Sequence, residues 1–142
     1  MAYIEKQKFN VHELAASRLR PIAVAIIEPD EYLAALYARY ISAAHLQTHM
    51  RHDVDGIHGF IKTIQPHIII INPNIQPSPK IFISILNTIR ENFPAILLVT
   101  IGLSSDSEAI KDYMDSGISS HINRAHTRPQ DVVVIIKSLL HH

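Results

Sequence analysis

His67-Ile68-Ile69-Ile70-Ile71-Asn72-Pro73-Asn74 sets four isoleucines in a row and closes them with Asn and Pro. Branching at Cβ favours extended backbone. A run without alternation leaves no polar face, so a strand built from it has to be covered on both sides. That is the mark of a central strand in a parallel sheet. In an open sheet of this kind, ligands and reacting groups gather just outside the carboxyl ends of the strands. Asn72 stands at that end.

Two further runs share the same character. Pro21 to Ile27 reads as the first strand and Ala95 to Thr100 as the fourth, both without alternation and therefore buried. After the first comes Glu28-Pro29-Asp30-Glu31, in which Asp30 suits an N-cap and the acidic side chains suit the positive end of a helix dipole. Leu33, Leu36, Tyr37, Tyr40, Ile41 and Ala44 then recur at helical spacing, which predicts a helix over 31–45. Gln47 to His52 is a weaker, polar strand that belongs at a sheet edge. Asp55-Gly56 signals a turn, and Phe60, Ile61 and Ile64 mark a short helix that Pro66 ends.

Beyond the isoleucine run, Pro73 to Lys80 is a loop holding three prolines. Ile81, Ile85, Leu86 and Ile89 predict a helix reaching Asn92. Ser105-Asp106-Ser107-Glu108 has the form of a capping box, opening a helix that carries Ala109, Tyr113 and Met114 and stops at Gly117. Ile118 to Asn123 is a fifth strand. Thr127-Arg128-Pro129-Gln130 is a second capping box with proline in the first turn. Val132 to Ile136 sets propensity against pattern: five β-branched residues favour a strand, whereas the cap and the spacing of Val132, Ile135, Ile136 and Leu139 favour a buried helix. The helix is preferred.

Five strands alternating with five helices specify an α/β, flavodoxin-like (βα)5 three-layer sandwich. Its five-stranded parallel sheet is expected in the order 2-1-3-4-5, with right-handed crossovers. Residues 21–142 form this domain. Residues 1–20 are an N-terminal extension in which Val11, Leu14, Ala15 and Leu19 trace a short helical pattern closed by Pro21. It is expected either to pack on the domain or to mediate an assembly contact.

The 142 residues carry no net charge, which argues against nucleic-acid binding driven by phosphate neutralisation. Hydrophobic residues make up 47% and charged residues 18%, a globular balance. The absence of cysteine excludes disulfides, thiolate metal sites and cysteine catalysis and points to a reducing cytoplasm. No signal peptide is visible in MAYIEKQKFN, and the apolar runs are too short to span a bilayer. His141-His142 carries no functional weight.

The ten histidines invite a metal reading, and His45, His49 and His52 are the densest group. They straddle a helix end and the next strand, which splays the rings apart; solvated edge residues explain them better. Tyr32, Tyr37 and Tyr40 read as core or contact residues of a helix. The four glycines are scattered, so there is no phosphate-binding loop. Ser104, Ser105 and Ser107 lack the Gly-x-Ser-x-Gly setting of a hydrolase.

With all five βα units placed, the chain resembles the receiver domain of bacterial response regulators (CheY-like) over roughly residues 21–140. In that family an acidic pair after the first strand holds Mg²⁺, and an aspartate after the third accepts a phosphoryl group from a histidine kinase. A Ser or Thr after the fourth strand and a Lys after the fifth bind that group, and an aromatic residue on the fifth strand follows the switch. On this chain the resemblance puts the acidic pair at Glu28 and Pro29, with Asp30 one step on, and the phospho-acceptor at Asn72. Thr100 matches the hydroxyl position, His121 the aromatic switch and Arg124 the lysine, while Ala125 replaces the usual proline. Gly56 and Gly117 match family glycines. The loop after Asn72 is longer than the family's and lacks its Met-Pro.

The departures bear directly on chemistry. Aspartyl phosphorylation needs an anionic carboxylate, and the Asn72 amide is a poor nucleophile. Mg²⁺ wants carboxylate oxygens in near-octahedral geometry, and Pro29 and Asn72 remove two. Arg124 keeps a positive charge near Glu28 and Asp30, so an internal ion pair is expected to stand in for the metal. Pro73, lacking an N–H, also blocks the usual cyclic route from Asn72 to aspartate.

The expectation is a non-phosphorylatable pseudo-receiver, not an enzyme, without cofactor and with Mg²⁺ binding weak or absent. It would signal through a protein partner, with a homodimer possible, and without nucleic acid or membrane. The expected contact face is helix 4, strand 5 and helix 5, through Lys111, Met114, Asp115, His121 and Lys137. Two alternatives are a domain binding an anion through Arg124 and Thr100, and an atypical phosphotransfer receiver using Asp30. A third treats Asn72 and Thr100 as ordinary strand-end residues of another flavodoxin-like protein.

Overall fold

The computed structural model describes residues 21–103 and 106–141. The isoleucine run forms β3 (Ile68–Ile71) at the centre of the sheet. It lies between β1 (Ala23–Ile27) and β4 (Leu97–Gly102), with β2 (Gln47–Arg51) and β5 (Ser120–Asn123) at the edges. All four pairings are parallel and the order is 2-1-3-4-5. Arg51, Ile27, Ile71, Thr100 and His121 share one row across the sheet.

Successive side chains of a strand point to opposite faces, and that splits the run between two cores. Ile68 and Ile70 join Val24, Ile26 and Val99 under α1 (Glu31–Ala43) and α5 (Pro129–Leu140). Ile69 and Ile71 join Ala25, Ile27 and Leu98 under α2 (Ile57–Ile64), α3 (Pro79–Asn92) and α4 (Ser107–Asp115). The four isoleucines are at most 1% exposed. Helices cover both faces, so the run's lack of alternation is explained.

In the contested segment, burial outweighs β-propensity. Val132 and Ile136 sit one turn apart in the α1 side of the core, and Val134 faces water on the far side. β2 is the half-exposed edge strand expected from its polarity. The backbone of Gly117 has φ +90°, the left-handed conformation of a residue just past a helix end.

Several boundaries move. β1 starts at Ala23, not Pro21, and α1 stops at Ala43. The Ile96 N–H folds back to the Phe93 carbonyl, so Ala95 and Ile96 belong to a turn. β4 therefore begins at Leu97 and runs on to Gly102, where it pairs Asn123. Thr100, read as the last residue of that strand, thus lies two residues inside its end. The loop from Pro73 holds a 3-10 turn (Pro73–Ile75), and α3 opens early, at Pro79, with Ser78 as its cap.

Neither capping box forms as read. Asp106 caps α4, its Oδ1 accepting from Glu108 and Ala109 N–H; a carboxylate is the better acceptor at the positive helix end. α5 starts one residue late, after Arg128. There Asp131 takes the Arg128 N–H at 3.2 Å and its guanidinium at 2.9 and 3.1 Å. That contact holds the Asp131 carboxyl below its ordinary range. The helical pattern over residues 11–19, Ser104 and Ser105 lie outside the described residues. Among the described residues no helix is long and apolar enough to cross a membrane.

Candidate functional site

β1 and β3 end side by side, which brings Glu28 and Asn72 together across 44 positions of sequence. Glu28 N–H bonds the Arg51 carbonyl and Asn72 N–H the Ile27 carbonyl, so both backbones are still fixed by the sheet. The Glu28 side chain is 2% exposed and that of Asn72 3%. Burying a carboxylate is costly unless its oxygens are met by donors. Here they are: Asn72 Nδ2 donates to Oε1 at 2.8 Å and the Asp30 N–H to Oε2 at 2.9 Å. Arg124, from the 3-10 turn after β5, brings Nη1 to 3.9 Å from Oε1.

The amide of Asn72 is used at both ends. Its Oδ1 accepts the Asn74 N–H at 2.9 Å, capping the turn that begins at Pro73. Only one orientation of the amide satisfies both contacts, because a flip would set oxygen against oxygen and N–H against N–H. The residue therefore faces Glu28 as a donor, a role an ionised aspartate cannot fill.

The oxygens that Mg²⁺ would need are already engaged or replaced. Both Glu28 oxygens are turned to N–H donors, Pro29 is exposed and offers no ligand, and Asn72 presents hydrogens to the pocket. Asp30 was read both as an N-cap and as part of the acidic pocket beside Glu28; it takes the first role and points away from the pocket. It is exposed and its Oδ1 accepts the Leu33 N–H at 3.1 Å as the cap of α1. The N-cap role wins because the free amides of the first turn lie within reach of so short a side chain. Among the described residues, no three His, Asp or Glu side chains are placed to hold a metal ion. His45 projects from a left-handed residue, and His52 Nδ1 pairs with the Glu28 carbonyl at 3.0 Å; these two do not converge.

Tyr37 is buried in α1, near enough to Arg124 and Glu28 to feel both charges. Burial pushes its phenol above the ordinary value of 10.0; Arg124 opposes that shift and Glu28 reinforces it. Gly102 lies across β4 from Asn72. A Cβ there would stand 3.5 Å from Asn72 Oδ1 and 3.4 Å from Pro73 Cδ, ordinary contact distances that put this position directly against the turn. Sequence reasoning took Tyr37 for a core or contact residue of its helix, which its burial matches, and passed over Gly102. A glycine directly after an apolar strand was the available signal for Gly102; helical spacing marked Tyr37 as core, and nothing local marked its nearness to Glu28 and Arg124.

Thr100 and His121 come together one row below. Thr100 is fully buried and its Oγ1 lies 2.7 Å from His121 Nδ1. The imidazole rests against Tyr113 of α4 (centroids 5.9 Å apart), which meets Phe82 of α3 edge to face at 5.4 Å. A hydroxyl of the central sheet is thereby linked through rings to two helices. This arrangement does not give an open anion site: Thr100 is sealed and engaged, and the Glu28 carboxylate stands beside Arg124.

The expected contact face is only partly presented. Lys111 and Asp115 are exposed and paired at 3.0 Å, Met114 is 46% exposed and Lys137 is exposed. His121 is half-buried and bonded inward, because its place on β5 turns it toward Thr100.

No family model and no curated protein matches the chain. Solved structures do. A response regulator from Thermotoga maritima superposes with a TM-score of 0.78 at 10% identity, over 87% of this chain and all of that one (100%). A response regulator receiver domain protein (CheY-like) from Methanospirillum hungatei gives 0.77 at 11% identity, over 86% and 95% of the two chains. An atypical orphan response regulator, described with a phosphorylation-independent regulatory mechanism, gives 0.73 at 12% identity over 84% and 96%. At such identities the likeness speaks for architecture. The chain has the fold of a response-regulator receiver domain.

Proposed function

We propose that this receiver fold is a signalling module that takes no phosphoryl group and acts by contact with another protein. The observation that carries the reading is the hydrogen bond from Asn72 Nδ2 to Glu28 Oε1. It puts an amide donor where phosphoryl transfer requires an anionic oxygen. The buried carboxylate that would bind a metal is instead held by an amide, a backbone N–H and a guanidinium at the edge of ion-pair distance. On this reading the domain needs no cofactor and catalyses nothing, and Arg124 stabilises the pocket in place of Mg²⁺.

The face of α4, β5 and α5 is the proposed contact surface. Met114 supplies exposed apolar area, and Lys111, Asp115 and Lys137 supply a charged rim. The atypical orphan regulator of the same fold offers a precedent for control without phosphorylation.

The test is incubation with acetyl phosphate and Mg²⁺, followed by intact-mass measurement. The parent chain gains no phosphoryl mass. The Asn72→Asp, Pro29→Asp double variant, with both missing carboxylates restored, is the comparison. A phosphorylated parent would overturn the proposal.

A further inference from the structure

At the opposite end of the sheet from Asn72, a groove of about 710 Å³ opens where β3 and β4 begin. α2, the α3–β4 loop and the last turn of α5 supply its walls: Ile61, Phe93, Leu97, Leu139 and Leu140. All but Ile61 are left half-buried. Apolar side chains from three elements therefore converge on a cleft that none of the described residues fills.

The chain enters the domain beside this cleft. His67, which lines it, accepts the Ala23 N–H through Nδ1 at 3.1 Å, and the Ile22 carbonyl accepts from Gln47 at the same end of the sheet. Pro21, the first described residue, is thus two positions from a contact with the groove's lining, and twenty residues precede it in the sequence. They contain Val11, Leu14, Ala15 and Leu19, spaced i, i+3, i+4 and i+8, which share one face of a helix. As a helix the span from Val11 back to Pro21 measures about 15 Å, so the stripe stays within reach of the cleft. Arg18 falls inside the stripe, where its methylene stem can lie on apolar surface while its head reaches water.

We propose that residues 11–19 dock along this groove of their own chain, with Val11, Leu14, Ala15 and Leu19 turned inward. The tether favours this occupant over others, since a segment joined within a few residues of the site is present at an effective concentration of about millimolar. Docking there would cover the apolar end of the sheet without touching the pocket at Glu28 and Asn72.

The chain has no cysteine, so a single Ser17→Cys substitution, off the stripe, takes one nitroxide label in the full-length protein. Amide signals of Ile61, Phe93 and Leu140 should broaden selectively, while those of Gly102 and Asn123 at the opposite end of the sheet should not. Adding Leu14→Asp and Leu19→Asp, which leave every described core contact in place, should shift the Ile61, Phe93 and Leu140 amide signals of the unlabelled protein and weaken the broadening in the labelled one. Groove signals that stay sharp, or groove shifts and broadening that the two aspartates leave unchanged, would overturn the proposal. So would broadening that appears only between a spin-labelled chain and a separate isotope-labelled one, which would give the groove to a second copy.

Discussion

Asn72 shows how one atom changes what a strand end can do. Its Nδ2 meets Glu28 at 2.8 Å, and Asn72→Asp would replace that donor with a second carboxylate in the same buried space. We expect a loss of about 2–4 kcal/mol at pH 7.5, in the range for removing one partner of a buried polar pair. Two carboxylates this close share a proton, which raises the pair's affinity for it in the folded state. The deficit should therefore shrink as pH falls toward 5, measured as the gap between parent and variant in urea unfolding. Tyr37 carries the opposite alkaline signature. Its phenol is raised above 10.0 in the fold, so its contribution is complete below pH 10 and is lost as pH rises from there through the folded value. Tyr37→Phe lacks that loss, and its stability should fall less than the parent's between pH 9 and 11. At Thr100, removal of the hydroxyl in Thr100→Val leaves His121 Nδ1 without this partner and should cost about 1 kcal/mol. The His121 ring ¹⁵N shifts should move in Thr100→Val and stay near the parent's in Thr100→Ser.

The elements divide into those written in local sequence and those that are not. β1, β3 and β4 were legible because unbroken β-branched and aliphatic runs have few other uses. β4 was misplaced because Pro94 looked like its start, whereas the turn from Phe93 to Ile96 absorbs two more residues. The caps of α4 and α5 were misassigned for a similar reason. Several acceptors stand in a row at each start, and only three-dimensional packing chooses among them. α5 was the hardest case, and its behaviour can be tested at two positions. Val134 is 66% exposed and gains little from packing, so Val134→Ala should stabilise the helix by about 0.5 kcal/mol through propensity. Ile136 is fully buried, and Ile136→Ala should cost about 2–5 kcal/mol. Thermal unfolding of the two variants should move in opposite directions. If Ile136→Ala were neutral, burial would not be what holds this β-branched segment in a helix.

For the whole molecule, topology could be read from the alternation of strands and helices, and with it the place where a site would form. Which side chains meet there could not. Glu28, Asn72 and Arg124 come from three separate strand ends, and Asp30, next to them in sequence, turns away to cap α1. Thr100 and His121 meet because β4 and β5 pair in a register that puts them side by side. On the proposed reading, the internal hydrogen bonds of Glu28 and Asn72 stand where the family's phosphoryl switch is expected. The most direct check is an amide-correlation NMR titration of the unmodified protein with beryllofluoride and Mg²⁺. The account predicts no shift at Glu28, Asn72, Thr100 or His121. Saturable, Mg²⁺-dependent shifts centred on those residues would contradict it.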